Sequence, residues 1–240
     1  MIAAVDIGNT RTKLGLFSLE GELRAEKSFL TTENFLPFAK ELFAAGVERA
    51  VIGSVVPKLN AGWQDFFGTR AHLASATSPW GFRVDVEGLV GMDRLLALEG
   101  ALSFPGAVIV VDAGTATKID VLEGGVSRSF PGGAIAPGLL LSYEALLAGT
   151  AQLPRVELNK HSPVVGYNTE TAIRSGVVHG FSAMVDGMVM RAFEERKLAP
   201  GTCVVATGGN ASFLHGRARL VSQYRPRLVL EGCYALAKKV

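Results

Sequence analysis

One short pattern occurs in both halves of the chain and constrains its fold more than any other feature. An apolar run ends in an aspartate, followed by a glycine and a hydroxyl residue, once as Asp6-Ile7-Gly8-Asn9-Thr10 and once as Asp112-Ala113-Gly114-Thr115. Self-similarity of this kind indicates a duplicated structural unit. We therefore expect two related halves, residues 1–105 and 106–240, that join near Pro105-Gly106.

Hydrophobic periodicity predicts a similar order of elements in each half, with a strand, a turn and two further strands preceding the helices. In the first half we expect strands at 2–5, 12–17, 22–29 and 49–52 and helices at 33–45, 57–67 and 92–104. In the second half we expect strands at 107–111, 116–122, 126–130 and 202–206 and helices at 138–147, 169–197 and 228–239. Three glycines, Gly176, Gly180 and Gly187, weaken the case for one unbroken helix at 169–197. The predicted fold class is α/β.

The composition limits the classes of partner. The chain has 24 Lys and Arg against 22 Asp and Glu, and its longest basic run is the Lys238-Lys239 pair, which argues against nucleic acid as the main partner. No apolar stretch approaches the roughly 18 residues that span a bilayer, and Asp6 lies where a signal peptide would be apolar. The two cysteines, Cys203 and Cys233, form neither a metal-binding pattern nor a disulfide framework. We expect a cytoplasmic protein without a membrane partner.

The stretch from Asp6 to Lys13 suits phosphate binding. A carboxylate at the end of a buried strand is costly unless it is paired, hydrated or bound to a cation. The turn at residues 8–10 lets main-chain N–H groups and hydroxyls face an anion, and Lys13 adds a positive charge. One such turn serves equally well as an ordinary hairpin connection, but the second copy at Asp112 favours phosphate. Two hairpins that meet across a cleft would clamp a polyphosphate.

Neither the P-loop pattern nor the glycine-rich dinucleotide fingerprint occurs, so a nucleotide site would be built from the paired hairpins. Further glycine pairs follow predicted strands, at Gly132-Gly133 within Pro131–Gly138 and at Gly208-Gly209. Each pair is either a tight connection or part of a loop beside a nucleotide cleft, since open α/β sheets place ligands at the carboxyl ends of their strands.

A second constellation, Gly91-Met92-Asp93-Arg94, opens the predicted helix at 92–104. An aspartate in the first turn of a helix is favoured by the helix dipole, which by itself explains Asp93. A functional interpretation has Asp93 accept a proton from an attacking hydroxyl, a role that kinases give to an aspartate. Arg94 would then hold a substrate carboxylate in bidentate fashion. The residues alone leave both interpretations open.

Together these segments resemble the type III pantothenate kinases in order, spacing and chain length. Residues 6–10 are similar to the first phosphate motif of that family, 91–94 to its Gly-x-Asp-Arg motif, and 112–117 to its Asp-x-Gly-Thr-Ala-Thr motif. Gly132–Gly138 and Asn168-Thr169 also fit the family pattern. The resemblance implies the actin/sugar kinase/Hsp70 superfamily, with two ribonuclease H-like domains, ATP in the inter-domain cleft, and assembly as a homodimer. It implies ATP-dependent phosphorylation of pantothenate, the first step of coenzyme A biosynthesis.

The resemblance also implies roles for individual residues. Asp93 would be the general base on the pantothenate hydroxyl. Asp112 would bind the monovalent cation, K⁺ or NH₄⁺, that the family requires, and Asp6 would lie near Mg²⁺. The residues expected to contact ATP are Asp6, Ile7, Gly8, Asn9, Thr10, Arg11, Thr12, Lys13 and Thr115. The residues expected to contact pantothenate are Gly91, Met92, Asp93, Arg94 and Thr169.

The sequence departs from the family pattern at two places. Lys118 stands where family members often carry a hydroxyl residue, and it adds a charge beside the expected cation. The segment 84–88 lacks the tyrosine and proline that often precede the Gly-x-Asp-Arg motif.

Two alternatives stay open. One is another small-molecule kinase of the same superfamily, of the sugar or acetate type. The other is a catalytically silent relative that acts as a regulatory protein. Silence is disfavoured because Asp6, Asp93, Asp112 and Lys13 are all retained, and a binding module has no need of three acids that handle cations or protons.

Overall fold

The computed structural model describes residues 1–44, 46–125 and 127–240. They form two compact units. Unit 1 holds Met1–Ser103, Ser127–Phe130 and Arg227–Val240, and unit 2 holds Phe104–Val126 and Pro131–Pro226. The domain halves expected at 1–105 and 106–240 stay a prediction.

Unit 1 is built on a five-stranded sheet with the order β3-β2-β1-β4-β5. Its strands are β1 (Ile2–Ile7), β2 (Arg11–Phe17), β3 (Leu23–Leu30), β4 (Arg49–Ser54) and β5 (Ala71–Leu73). β2 runs antiparallel to both β1 and β3, whereas β4 runs parallel to β1 and β5 runs parallel to β4. A short strand, β6 (Arg83–Val84), pairs in parallel with Ser129 and Phe130.

Four helices cover the two faces of this sheet: α1 (Leu36–Leu42), α2 (Asn60–Phe67), α3 (Met92–Ala101) and α6 (Leu228–Ala237). On one face Val5, Ile7 and Leu14 pack with the aromatic side chains of α2 in a buried core. On the other face α3 and α6 cross, and the crossing depends on small residues. Where they cross, a β-carbon at Gly232 of α6 would overlap the carbonyl oxygen of Leu96 of α3.

Unit 2 repeats this architecture with the order β11-β10-β7-β8-β9. Its strands are β7 (Val108–Ala113), β8 (Ala116–Glu123), β9 (Ser129–Pro137, of which the first two residues belong to unit 1), β10 (Cys203–Thr207) and β11 (Gln223–Tyr224). As in unit 1, the first two strands, β7 and β8, are antiparallel. On the other side of β7, β10 runs parallel to β7 and β11 runs parallel to β10. The helices are α4 (Leu139–Ala148) and α5 (Thr169–Glu195). The duplication inferred from the repeated motif is therefore visible in strand order and sense.

Most predicted elements are confirmed, with two differences. The segment Pro131–Pro137, expected as a loop, lies within β9, where Gly133 lets the strand pass so close to Asp120 that a β-carbon would overlap its carboxylate. The predicted helix 33–45 is α1, which covers only Leu36–Leu42. Ala45, at its predicted end, and Val126, at the predicted start of a strand, lie outside the described residues.

The predicted helix at 169–197 is confirmed as α5. It is one continuous helix of 27 residues despite its three glycines. Its N-terminus is fixed by a capping box between Asn168 and Thr171, which satisfies backbone donors that would otherwise lack partners. One face of α5 is buried against the rest of unit 2 through Val178, Val185 and other apolar residues. This burial outweighs the helix stability that the three glycines lose. In the part of the chain that the structure describes, no helix has the length and hydropathy to cross a membrane.

Candidate functional site

The first motif forms the hairpin between β1 and β2. Asp6 is the penultimate residue of β1 and is paired with Lys13 across the hairpin and with Gly53 on the parallel neighbour β4. The N–H of Gly8 donates to the carbonyl of Arg11 over 3.1 Å, which closes the turn. A β-carbon at Gly8 would lie 2.9 Å from that carbonyl oxygen, so the turn requires glycine at this position.

Hydrogen bonds of Thr12 and Thr31 stabilise this turn. The Thr31 hydroxyl donates to the carbonyl of Gly8 over 2.8 Å, and the Thr12 and Thr31 hydroxyl oxygens lie 3.1 Å apart. The Thr31 N–H donates to the carbonyl of Thr10 over 3.0 Å. Thr31 was not singled out in the sequence. The sequence shows only a hydroxyl residue just after the third strand, and such residues are too common at strand ends to indicate a site.

The predicted ATP residues of this hairpin differ in exposure. Ile7 and Thr12 are buried, so their side chains serve the fold and the turn. Asn9 and Thr10 are exposed at the tip. Arg11 is also exposed, and its guanidinium donates to the hydroxyl of Ser28 over 2.9 Å and to its carbonyl over 3.0 Å. The turn therefore presents backbone and short polar groups to solvent.

Helix α6 lies beneath Asp6. The thiol of Cys233 is buried and is 3.9 Å from the carbonyl oxygen of Val5. Burial raises the pKa of this thiol well above its usual range, and the negative charge of Asp6 raises it further. The thiol is therefore held neutral.

The second motif begins α3 at the same end of the sheet. Gly91 is the N-cap of α3, and Asp93 lies in its first turn, where its Oδ1 accepts a hydrogen bond of 2.9 Å from the N–H of Arg94. A β-carbon at Gly91 would lie 3.8 Å from Cγ1 of Val55. The N–H of Val55 in turn donates to the carbonyl of Ile7 over 3.0 Å. Unit 1 therefore brings the two motifs together through Val55.

Arg94 is positioned by an aromatic ring. Its guanidinium carbon lies 5.2 Å from the ring centroid of Phe130, which is buried, a geometry that stabilises a cation. The altered segment 84–88 is anchored to the same strand, because the N–H of Asp85 donates to the carbonyl of Phe130 over 3.0 Å. A hydrogen bond from Arg83 lowers the pKa of Asp85. The segment ends in an exposed loop, where the side chain of Leu89 is fully accessible.

The third motif forms the hairpin between β7 and β8 of unit 2. Asp112 is paired with Lys118 across the hairpin, as Asp6 is paired with Lys13. Here the two side chains form an ion pair with 2.6 Å between Lys118 Nζ and Asp112 Oδ2. Only 14% and 13% of the respective side chains are exposed.

The turn of this hairpin is held by two other segments of unit 2. The N–H of Gly138 donates to the carbonyl of Thr115 over 3.0 Å. Asn210 binds from the other side, with its N–H on the carbonyl of Ala113 over 2.9 Å and its side-chain amide on that of Gly114 over 3.1 Å. Sequence reasoning singled out Gly208-Gly209 but missed Asn210, the next residue. Thr115 is exposed at the tip of the turn.

The remaining predicted residue, Thr169, is exposed as the first residue of α5. Within residues 1–44, 46–125 and 127–240, no group of three or more His, Cys, Asp or Glu side chains is arranged to hold a metal ion by itself.

Comparison with known proteins gives a consistent result. The family model described as type III pantothenate kinase matches residues 2–191. A type III pantothenate kinase from Phenylobacterium zucineum is 35% identical over 249 residues, covering 97% of this chain and 95% of the relative. Another, from Thermus thermophilus, is 39% identical over 231 residues, covering 89% of each.

Solved structures agree on the fold. A Campylobacter jejuni protein described as a Baf family transcriptional activator matches with a TM-score of 0.66 at 17% identity, covering 99% of this chain and 98% of that one. A Sinorhizobium meliloti protein described as a 2-dehydro-3-deoxygalactonokinase matches at 0.60 and 14%, covering 100% and 97%. Component A of the (R)-2-hydroxyglutaryl-CoA dehydratase of Acidaminococcus fermentans matches at 0.59 and 14%, covering 100% and 96%. The fold is the α/β duplication of the actin-like and sugar kinase proteins.

Proposed function

The chain belongs to the type III pantothenate kinase family, and from this premise we propose that it transfers the γ-phosphoryl group of ATP to the primary hydroxyl of pantothenate. The hydroxyl oxygen forms a bond to the γ-phosphorus, and the bond between that phosphorus and the β–γ bridging oxygen breaks. The products are 4′-phosphopantothenate and ADP, and the hydroxyl proton passes to a base. This reaction begins coenzyme A biosynthesis. The observation that carries the proposal is the link through Val55 between the hairpin at Asp6 and the helix start at Asp93.

We assign Asp93 as the base. It is half-buried at the N-terminus of α3, and its Oδ1 is oriented by the N–H of Arg94. A carboxylate held in this way accepts the hydroxyl proton as the new bond forms. Gly91 and Met92 are proposed to lie along the path by which the pantothenate hydroxyl reaches Asp93. The guanidinium of Arg94, which packs on Phe130, is a partner for the pantothenate carboxylate. Thr169 is proposed as a further pantothenate contact.

The hairpin at residues 6–13 is proposed to hold the phosphates of ATP. The backbone of Gly8, Asn9 and Thr10 supplies the surface of the turn, and Lys13 supplies positive charge. Because phosphoryl transfer depends mostly on positioning and charge neutralisation, these groups need only be fixed in place. The buried pair of Thr12 and Thr31 provides that fixation. Thr115 in unit 2 is proposed as an additional ATP contact.

Asp6 fits the requirements of a Mg²⁺ ligand. It offers carboxylate oxygens at the end of a strand, and Mg²⁺ prefers hard oxygen ligands from one or two carboxylates together with substrate phosphates. When bound, Mg²⁺ neutralises charge that develops on the phosphoryl oxygens. The monovalent cation implied at Asp112 is a different matter, because the carboxylate there already has a positive partner in Lys118.

We also propose that two copies of the chain assemble as a dimer through α5. Gly176, Gly180, Ala183, Gly187 and Met190 recur every three or four residues and line a shallow groove on the side of the helix away from its buried face. A β-carbon at Gly176 or Gly180 would meet nothing within 4 Å beyond its chain neighbours and the backbone of its own helix. Small residues allow two helices to approach closely, and exposed apolar patches mark interaction surfaces.

The two free thiols are compatible with a reducing compartment, and we propose that the protein acts in the cytoplasm.

Purified protein supplied with ATP, Mg²⁺ and a monovalent salt tests the enzymatic proposal. We expect phosphopantothenate and ADP to form in equal amounts, measured by mass spectrometry and a coupled ADP assay. Phosphorylation of a sugar or of acetate, with pantothenate left untouched, would instead identify another kinase of the superfamily. Nucleotide binding without turnover on any of these acceptors would favour the catalytically silent relative.

A further inference from the structure

We propose that Lys118 takes the place of an exchangeable monovalent cation at Asp112, so that this kinase works without K⁺ or NH₄⁺. The proposal rests on the function given above and concerns the charge that neutralises Asp112. The ammonium nitrogen of Lys118 lies 2.6 Å from Oδ2 of Asp112, within an ion pair that is largely shielded from solvent. A lysine ammonium is a compact point charge with three donors, and it is attached to the chain.

The surroundings of Asp112 leave its carboxylate few open directions. Oδ2 is engaged by Lys118. Oδ1 faces Gly208, where a β-carbon would come within 2.5 Å of it, and Gly114, where the distance would be 3.6 Å. Gly208 has φ +92°, so the backbone closes against the carboxylate at a residue that also favours glycine for conformational reasons. An oxygen-lined shell for a free cation would require Lys118 to leave.

The strand register makes this pairing a fixed feature. Asp112 and Lys118 are directly opposed on β7 and β8, and the side chains of such a pair extend to the same face of the sheet. Asp120 lies two residues beyond Lys118 on that face and is buried. Lys118 therefore adds its positive charge to a strand face that carries two acidic residues. Breaking a buried ion pair leaves an uncompensated charge, which is strongly unfavourable.

The consequence is a constant charge beside the turn that carries Thr115. A soluble cation neutralises a carboxylate only in proportion to its occupancy, whereas a covalently attached ammonium is always present. The rate of the proposed reaction should then be independent of the concentration of K⁺.

The first test measures turnover of the wild-type protein in KCl, NH₄Cl and choline chloride at equal ionic strength. We expect kcat and kcat/KM to agree within about twofold among the three salts. A rise of about tenfold or more with K⁺ or NH₄⁺ would overturn the proposal, because a tenfold rate effect requires an interaction that Lys118 does not supply.

The second test replaces the lysine with a hydroxyl residue. Lys118→Thr should lose about tenfold or more in kcat in choline chloride and recover on addition of K⁺, because the carboxylate then lacks a fixed cation. Lys118→Met should lose activity without recovery, since it offers no oxygen ligand. Lys40→Thr removes an exposed lysine on α1 and should resemble the wild type in every salt. If Lys118→Thr folds and turns over normally in choline chloride, the proposal is wrong.

A readout that is independent of catalysis separates this idea from the proposed function. The thermal unfolding midpoint of the wild type should be the same in KCl and choline chloride, whereas that of Lys118→Thr should rise with KCl, because a ligand that binds the native state stabilises it. A specific K⁺-dependent rise in the wild type would refute the fixed-cation idea even if the protein phosphorylated nothing. An inert enzyme with the expected unfolding pattern would refute only the pantothenate kinase activity.

Discussion

At the scale of single residues, the proposed chemistry depends most on Asp93. Asp93→Asn keeps an oxygen that can accept the N–H of Arg94 but removes the basic carboxylate. We expect kcat to fall by about 10²–10⁴-fold. Stability should fall by no more than about 0.3–1 kcal/mol, the usual value of a negative charge at a helix N-terminus. A coupled kinase assay and a thermal melt measure the two effects.

The matched control is Asp65→Asn, which changes an exposed acid on α2 and should alter neither quantity. A large loss of stability in Asp93→Asn, with activity retained in proportion to the folded fraction, would mean that Asp93 serves only the helix.

The residue scale also shows where sequence reasoning was sufficient and where it was not. The aspartates, the glycine turns and Lys118 could all be read from the pattern. The ion pair could not, because it follows from the hairpin register that opposes Asp112 and Lys118, and a shift of one residue would have placed the lysine on the opposite face. Thr31 and Asn210 carried no recognisable signal, since each acts through a partner distant in sequence.

At the scale of elements, the crossing of α3 and α6 is the most demanding contact of unit 1. A β-carbon at Gly232 would overlap the carbonyl oxygen of Leu96, and one at Gly100 would overlap that of Leu228. Gly232→Ala should therefore push the helices apart and destabilise the protein by about 1–3 kcal/mol. Urea unfolding followed by circular dichroism measures the loss. Gly209→Ala, where the added carbon meets nothing within 4 Å, should unfold almost as the wild type does. Equal stability of the two variants would contradict the close crossing.

Sequence patterns predicted which helices and strands occur better than they predicted where each one begins and ends. The glycines of Pro131–Pro137 suggested a loop because the pattern could not show that a neighbouring strand needs their small size. The glycines of α5 weakened the case for one unbroken helix, although the helix is continuous and Gly176 and Gly180 occupy open positions on it. In both cases the structural role of a glycine depends on which residues pack beside it, and those neighbours are set by the tertiary structure.

At the scale of the whole molecule, the α5 face gives a test of assembly. A guanidinium on a face of small residues should prevent close approach of a second copy. We therefore expect Gly180→Arg to sediment as one chain of 25.3 kDa, and we expect the wild type to sediment as two. Gln64→Arg places the same charge on an exposed position of α2 and should leave the mass of the assembly unchanged. A wild-type protein that sediments as one chain at micromolar concentration would contradict the dimer.

The family and the duplicated α/β fold were both accessible from the sequence, because the repeated motif and its spacing extend along most of the chain. The sequence did not show which segments of the chain form unit 1. Its sheet is formed by the first part of the chain, yet α6 packs on that sheet from the C-terminal end, and no local pattern at 228–237 indicates which half of the molecule it joins.

The position of α6 has a consequence for biosynthesis. By the time residue 226 has been synthesised, all of unit 2 is present, whereas unit 1 still lacks α6, one of its covering helices. Domains generally fold as units during synthesis, so the segment made first would be the last to reach its native state. Until α6 is made, the sheet surface that receives Leu230, Cys233 and Leu236 is uncovered, and a nascent chain stalled before residue 228 would expose that apolar surface to chaperones.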